Sequence, residues 1–136
     1  MRYFLDGNNL AGAWFKSAGK EGSGEHLLIF LQRHKLPKDT TVVFDGARPR
    51  PSVEKGALKV IFSGRRTADE TILDRIGKGD IVVTRDRELQ SRAKVRRAGY
   101  MEPEEFLDKI RPKEGGAEKP LKEDDIEGWM KVFGEK

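Results

Sequence analysis

Residues 1–9, Met1-Arg2-Tyr3-Phe4-Leu5-Asp6-Gly7-Asn8-Asn9, decide how the chain is read. Three apolar residues run straight into a carboxylate, a glycine and two amides. A short apolar run of that kind reads as a buried strand. Asp-Gly-Asn-Asn is turn chemistry, and Leu10-Ala-Gly-Ala-Trp-Phe15 suits the start of a helix better than a second strand. The chain therefore opens as strand, tight turn, helix, with Asp6 at the carboxyl end of the strand. In open parallel sheets ligands bind at that edge. Asp6 is thus a candidate for chemistry, although aspartate is also an ordinary turn and cap residue.

The rest of the chain repeats this opening. Residues 25–34 predict a second helix, which stops before Leu36-Pro37 because proline pushes its predecessor out of helical conformation. Thr40-Thr41-Val42-Val43-Phe44-Asp45-Gly46 is a second strand, again ending in an acid and a glycine. Residues 46–57, with Arg48-Pro49-Arg50-Pro51, form a non-helical crossover to a third strand at Leu58–Phe62. Thr67-x-x-Glu70 is a capping box and starts a helix. Ile81–Thr84 is a fourth strand with Arg85-Asp86 at its end, followed by a helix to about residue 97. Gly99–Met101 and residues 104–110 complete the series as strand and helix. Gly19–Gly24 reads as a linker, since no strand precedes it and phosphate-loop spacing is missing. Alternation of this kind predicts an α/β domain over residues 1–110, a three-layer parallel sheet flanked by helices. Residues 111–120 read as a polar linker. Ile126, Trp129, Met130 and Phe133 then fall at helical spacing, so residues 121–136 predict an amphipathic helix docking on the body or a partner.

Composition narrows the classes. A chain of 136 residues fits one domain with a sizeable core. Without cysteine there are no disulfides and no thiolate metal site, and a reducing cytoplasm is the expected compartment. No apolar run is long enough to span a membrane, and the opening does not read as a signal peptide. Charge is unevenly spread. Residues 102–136 hold 11 acidic and 7 basic side chains, which leaves 12 acidic and 20 basic in residues 1–101. A basic body points to a polyanionic partner, nucleic acid first.

The strands deliver Asp6 and Asp86 to one edge, with Asp69 on the first turn of a neighbouring helix. If the first and fourth strands flank the switch point, a crevice opens between these acids. Carboxylates converging there repel each other unless a cation lies between them. Oxygen ligands without thiolates favour Mg²⁺ or Mn²⁺. Glu70 and Asp45 are weaker ligand candidates, since Glu70 belongs to the capping box and Asp45 suits loop orientation. Asp69 also suits the helix dipole, and Asp86 the N-cap of its helix. Arg48, Arg50, Arg65, Arg66, Arg85 and Arg87 are expected around the crevice, with Arg92 and Arg96 on the following helix. Acids at the centre and a basic rim suit phosphodiester hydrolysis, with arginines holding the backbone.

Tyr-Phe-Leu-Asp-Gly-Asn-Asn, Val-Val-Phe-Asp-Gly, Thr-Ala-Asp-Glu and Val-Val-Thr-Arg-Asp-Arg-Glu-Leu-Gln, in this order, resemble the NYN domain of the PIN-like nucleases, in particular its YacP-like subgroup. The resemblance covers about residues 1–110. It implies a PIN-like, Rossmann-like fold and a metal-dependent endoribonuclease with Asp6, Asp69 and Asp86 at the metal-site positions. Asn8 would support the first acid and Thr84 would stand beside the last. YacP-like proteins are linked to RNA decay on ribosomes, so the ribosome is an expected partner by resemblance alone. Arg85 departs from the small residue often found between that Thr and Asp. The expectation is therefore a Mg²⁺/Mn²⁺-dependent ribonuclease acting on single-stranded or ribosome-bound RNA. A catalytically silent RNA-binding module of the same fold is the alternative. A phosphoacceptor domain is disfavoured, because it needs paired acids where this chain has Asp6-Gly7-Asn8.

Overall fold

The computed structural model describes residues 1–18, 24–34, 36–47 and 52–110. Within them the chain runs β1 (Tyr3–Asp6), α1 (Gly7–Ala18), α2 (Gly24–Gln32), β2 (Thr40–Phe44), β3 (Ser52–Lys55) and β4 (Leu58–Phe62). It continues through α3 (Ala68–Arg75), β5 (Ile81–Val83), α4 (Arg87–Val95), β6 (Gly99–Met101) and α5 (Pro103–Ile110). The strands form one sheet in the order β3-β4-β2-β1-β5-β6. All neighbouring pairs are parallel except β3 with β4. The chain lays β2 and β4 to one side of β1 and then β5 and β6 to the other. The switch point expected between the first and fourth strands therefore falls between β1 and β5.

Alternation along the strands sorts two cores. Tyr3, Leu5, Val42, Phe44, Val60 and Phe62 enter one core together with Leu10, Leu27, Leu28 and Phe106 from α1, α2 and α5. Phe4, Val43, Ile61 and Val82 enter the other with Ile72, Leu73, Leu89 and Ala93 from α3 and α4. Strands buried on both faces read as continuous apolar runs, which is why they were visible in the sequence. Asp6, Asp45 and Thr84 lie two residues beyond Phe4, Val43 and Val82. The two-residue period of a strand therefore aims all three at the α3–α4 face, at the carboxyl ends of the strands.

Two local features differ from the sequence reading. No turn separates β1 from its helix, because α1 begins at Gly7. A Cβ on that residue would lie 2.6 Å from the Phe44 ring and 2.9 Å from the Val43 carbonyl oxygen. Only glycine lets α1 start so close to β2. Residues 46–57 are not a plain crossover loop either. They contain β3, which turns at Gly56 (φ 60°) into an antiparallel pair with β4. Ser52-Val-Glu-Lys55 is too polar to signal a strand in sequence, as suits an edge whose outer side faces water. The expected linker at 111–120 and helix at 121–136 lie outside the described residues, as do residues 19–23 of the glycine-rich stretch.

Candidate active site

The acids meet where β1 and β5 part. Asp6 ends β1 and is only 4% exposed. Its Oδ2 accepts the Thr84 hydroxyl at 3.1 Å, and its carboxylate also accepts the Asn9 backbone N–H. Burial still pushes its carboxyl above the ordinary range, and the charges of Asp45 and Asp86 add to the rise.

Asp69 stands on the first turn of α3, which the capping box fixes from both sides. Thr67 Oγ1 accepts the Glu70 N–H, and the Glu70 carboxylate accepts the Thr67 N–H, each at 3.1 Å. Burial, the charges of Asp6 and Asp86, and a hydrogen bond shared with Asp86 push Asp69 up to about 6. Asp86 comes from the start of α4. It is that helix's N-cap, with Oδ1 accepting Glu88 N–H at 2.9 Å and Leu89 N–H at 3.3 Å. Capping the helix and facing Asp69 are therefore compatible in one side chain.

Asp45 holds the assembly from the side. It accepts the Ala68 N–H at 2.7 Å and the Asn8 side-chain amide at 2.6 Å. It thus anchors the N-terminus of α3, where an anion is also favoured by the helix dipole. Glu70 is committed to its cap and is exposed, with its carboxyl held below the ordinary range by the Thr67 hydrogen bonds. It does not join the acidic group.

Several expected roles move to neighbouring residues. Asn8 supports Asp45 rather than Asp6, and the residue that supports the acid of β1 is Asn9. The Asn9 side-chain oxygen also accepts the Arg85 N–H at 2.7 Å, which ties the loop after β5 to α1. Gln90, 4% exposed, donates to the Thr84 carbonyl at 2.8 Å and to Glu102 at 2.5 Å. It braces the same loop from behind. Its signal in sequence was a polar residue one turn after Asp86 at an inward position of α4.

The basic rim is thinner than expected. Arg66 pairs with Asp74, Arg85 with Glu104, and Arg92 with Glu88 at 2.7 Å. Arg85 is thereby turned toward α5. Arg96 follows α4 at the opposite edge of the sheet, where the neighbouring Arg97 carbonyl accepts the Gly79 N–H, so it is not a rim residue. Arg65 and Arg87 stay exposed without an ion pair among the described residues, and Arg48 and Arg50 lie outside those residues.

An all-oxygen donor set with mutually repelling carboxyls fits a hard divalent cation, which would relieve that repulsion. The set is not a ready ligand shell. Among the described residues, no three acidic or histidine side chains are grouped closely enough to hold a metal. The acids act on one another electrostatically, and only Asp69 and Asp86 are in hydrogen-bond contact.

A three-layer α/β domain with acids at the carboxyl edge of its switch point is the architecture of PIN-like nucleases. The chain belongs to the YacP-like NYN domain family, whose family model matches residues 3–131. That is a nuclease-type, RNA-related family whose members generally use divalent metals. Among solved structures, the chain is similar to Rae1 (YacP) from Bacillus subtilis, determined as a W164L mutant. The two share 23% sequence identity and a TM-score of 0.58 over 96% of this chain and 80% of that one, a likeness of fold. No curated protein matches the chain. No helix among the described residues is long and apolar enough to cross a membrane.

Proposed function

We propose that the chain is a Mg²⁺- or Mn²⁺-dependent endoribonuclease that hydrolyses RNA phosphodiesters at the β1–β5 edge. One observation carries this reading: acids from β1, α3 and the start of α4 meet on one face, held by partners that leave them facing each other. Asp6, Asp69 and Asp86 would hold the metal, with Thr84 and Asn9 fixing Asp6 and Asp45 fixing the start of α3. When bound, the metal supplies an activated water and neutralises charge on the phosphate. Arg65 and Arg87 hold the RNA backbone at the rim. The cytoplasm and the ribosome are the compartment and partner we assign, the latter from the family resemblance.

A silent RNA-binding module is the second reading, favoured by the acids not being grouped as a ligand shell. The test is cleavage of a mixed-sequence single-stranded RNA with Mn²⁺, with EDTA, and with Asp86→Asn. Cutting that needs both the metal and Asp86 sustains the nuclease reading. RNA binding indifferent to Mg²⁺ and to Asp86→Asn, with no cutting on free RNA or on translating ribosomes, replaces it with the silent module.

A further inference from the structure

A cavity of about 690 Å³ opens on the same face of the sheet as the acids, but at the amino ends of the strands. Its floor is a row across four strands: Phe4 beside Thr41, Thr41 beside Lys59, and Lys59 beside Glu54. Among the described residues α3 packs on β1 and β2, and the cavity runs along the flank of that helix toward β4 and β3. Arg2, Lys38, Lys59 and Arg75 line it, against Asp39 and Glu54. The Arg2 guanidinium is held by Asp80 at 2.7 Å and lies 5.2 Å from the centre of the Phe4 ring. Lys59 reaches Glu54 only at 3.7 Å. Lys38 and Arg75 are exposed and have no ion pair among the described residues.

The positive charge continues beyond the groove. Lys78 lies in the α3–β5 connection, and Arg96 and Arg97 in the α4–β6 connection, all exposed at this edge. Among the described residues more unpaired cations therefore gather here than near the acids, where Arg66, Arg85 and Arg92 are neutralised by aspartate and glutamate. Little apolar surface is offered: Phe4, Leu58 and Ile61 are 3%, 2% and 5% exposed. Neither a lipid tail nor an apolar peptide finds an anchor in such a groove, and recognition is left to charge.

We propose that this groove and the edge around it bind the sugar–phosphate backbone of RNA, at a surface separate from the acidic site. Cations around a groove whose one aromatic ring, Phe4, is buried suit phosphate contacts, which carry no sequence information. The groove floor starts two residues below Asp6 on β1, about 7 Å along the strand. RNA lying there would be gripped beside the acids without touching them. This inference does not require that the chain cut RNA, because it concerns binding alone.

The test uses the full chain in EDTA and a fluorescently labelled stem-loop RNA, with anisotropy read across a salt titration. Lys38→Glu with Arg75→Glu should weaken binding about tenfold at 0.1 M salt and flatten the logarithmic salt slope by about two. Lys78→Glu alone, outside the groove, should give a smaller loss and guards against a folding defect in the double variant. Unchanged affinity and slope in both charge variants would overturn the proposal. So would displacement of the RNA by millimolar inorganic phosphate, which would mark a small-anion site. Retained RNA binding with lost binding to vesicles of anionic lipid would assign the edge to a membrane surface instead, and refute it. Loss of RNA binding in these variants together with a failed cleavage assay would sustain this inference and sink the nuclease reading.

Discussion

Replacing Asp69 with Asn should stabilise the metal-free protein, although the wild-type residue sits where a helix favours an acid. Asp69 has its carboxyl pushed up to about 6, against 3.8 for an unperturbed one. A shift of about two units corresponds to about 3 kcal/mol at full value. The side chain is partly open to water, so screening reduces this to roughly 1.5 kcal/mol. The α3 dipole returns about 0.5 kcal/mol to an acid on its first turn. The net gain from Asp69→Asn is then about 1 kcal/mol, or roughly 4 °C in Tm for a domain of this size.

The sign with pH follows from the raised value. An unfolded Asp69 ionises near 3.8 and the folded one near 6, so the folded state is penalised above pH 6. The advantage of Asn should be full at pH 7.5, shrink as pH falls through the interval from about 6 to about 4, and vanish below it. Thermal melts in EDTA at pH 7.5, 5 and 3.5 read this directly. Saturating Mn²⁺ should reverse the order at pH 7.5, since a ligand at a hundred times its Kd adds about 2.7 kcal/mol to the form that binds it. An Asp69→Asn variant that melts below wild type in EDTA at pH 7.5 would refute the account, because Asp69 would then be a structural acid.

Other substitutions separate the supports of the site from its acids. Thr67→Ala should cost about 1 kcal/mol in urea unfolding by removing the capping box of α3, and a loss below about 0.3 kcal/mol would show the box to be idle. Gln90→Leu leaves the Thr84 carbonyl and the Glu102 carboxylate without their donor. It should cost roughly 1–3 kcal/mol and lower kcat more than RNA affinity, and equal losses in both would contradict a bracing role. Gly7→Ala should destabilise by roughly 1–3 kcal/mol through the contact with Phe44, measured by denaturant midpoint, and a neutral result would mean that α1 can shift freely.

What was legible in the sequence was what local physics fixes. The two-residue period of a strand and the residues just after it place Asp6, Asp45, Thr84 and Asp86 on one edge, and Thr67-x-x-Glu70 places Asp69 beside them. A single missing turn was enough to spoil the next level of detail. Because α1 starts at Gly7, Asp6 stands directly before the helix and accepts the backbone N–H of Asn9, whereas the Asn8 side chain reaches Asp45. The polar edge strand β3 escaped because Val53 is its one apolar residue, too few to show a period.

Charge was the least legible property, for a reason that bears on function. Counting arginines near acids in sequence suggests a cationic rim, yet cations beside acids tend to find them. Arg66, Arg85 and Arg92 are each drawn into a pair, and Arg96 is carried by α4 to the far edge. A net charge is conserved under folding, but its free part is not distributed as the sequence orders it. Among the described residues it remains where cations outnumber the acids beside them, here among Lys38, Arg75, Lys78, Arg96 and Arg97 at the amino ends of the strands, with Asp39, Glu54, Asp74 and Asp80 on the same edge. Grip on a polyanion and the acids that would act on it therefore occupy opposite ends of the same strands. A substrate held mainly by the basic end would approach the acidic end without having to be strongly bound by it.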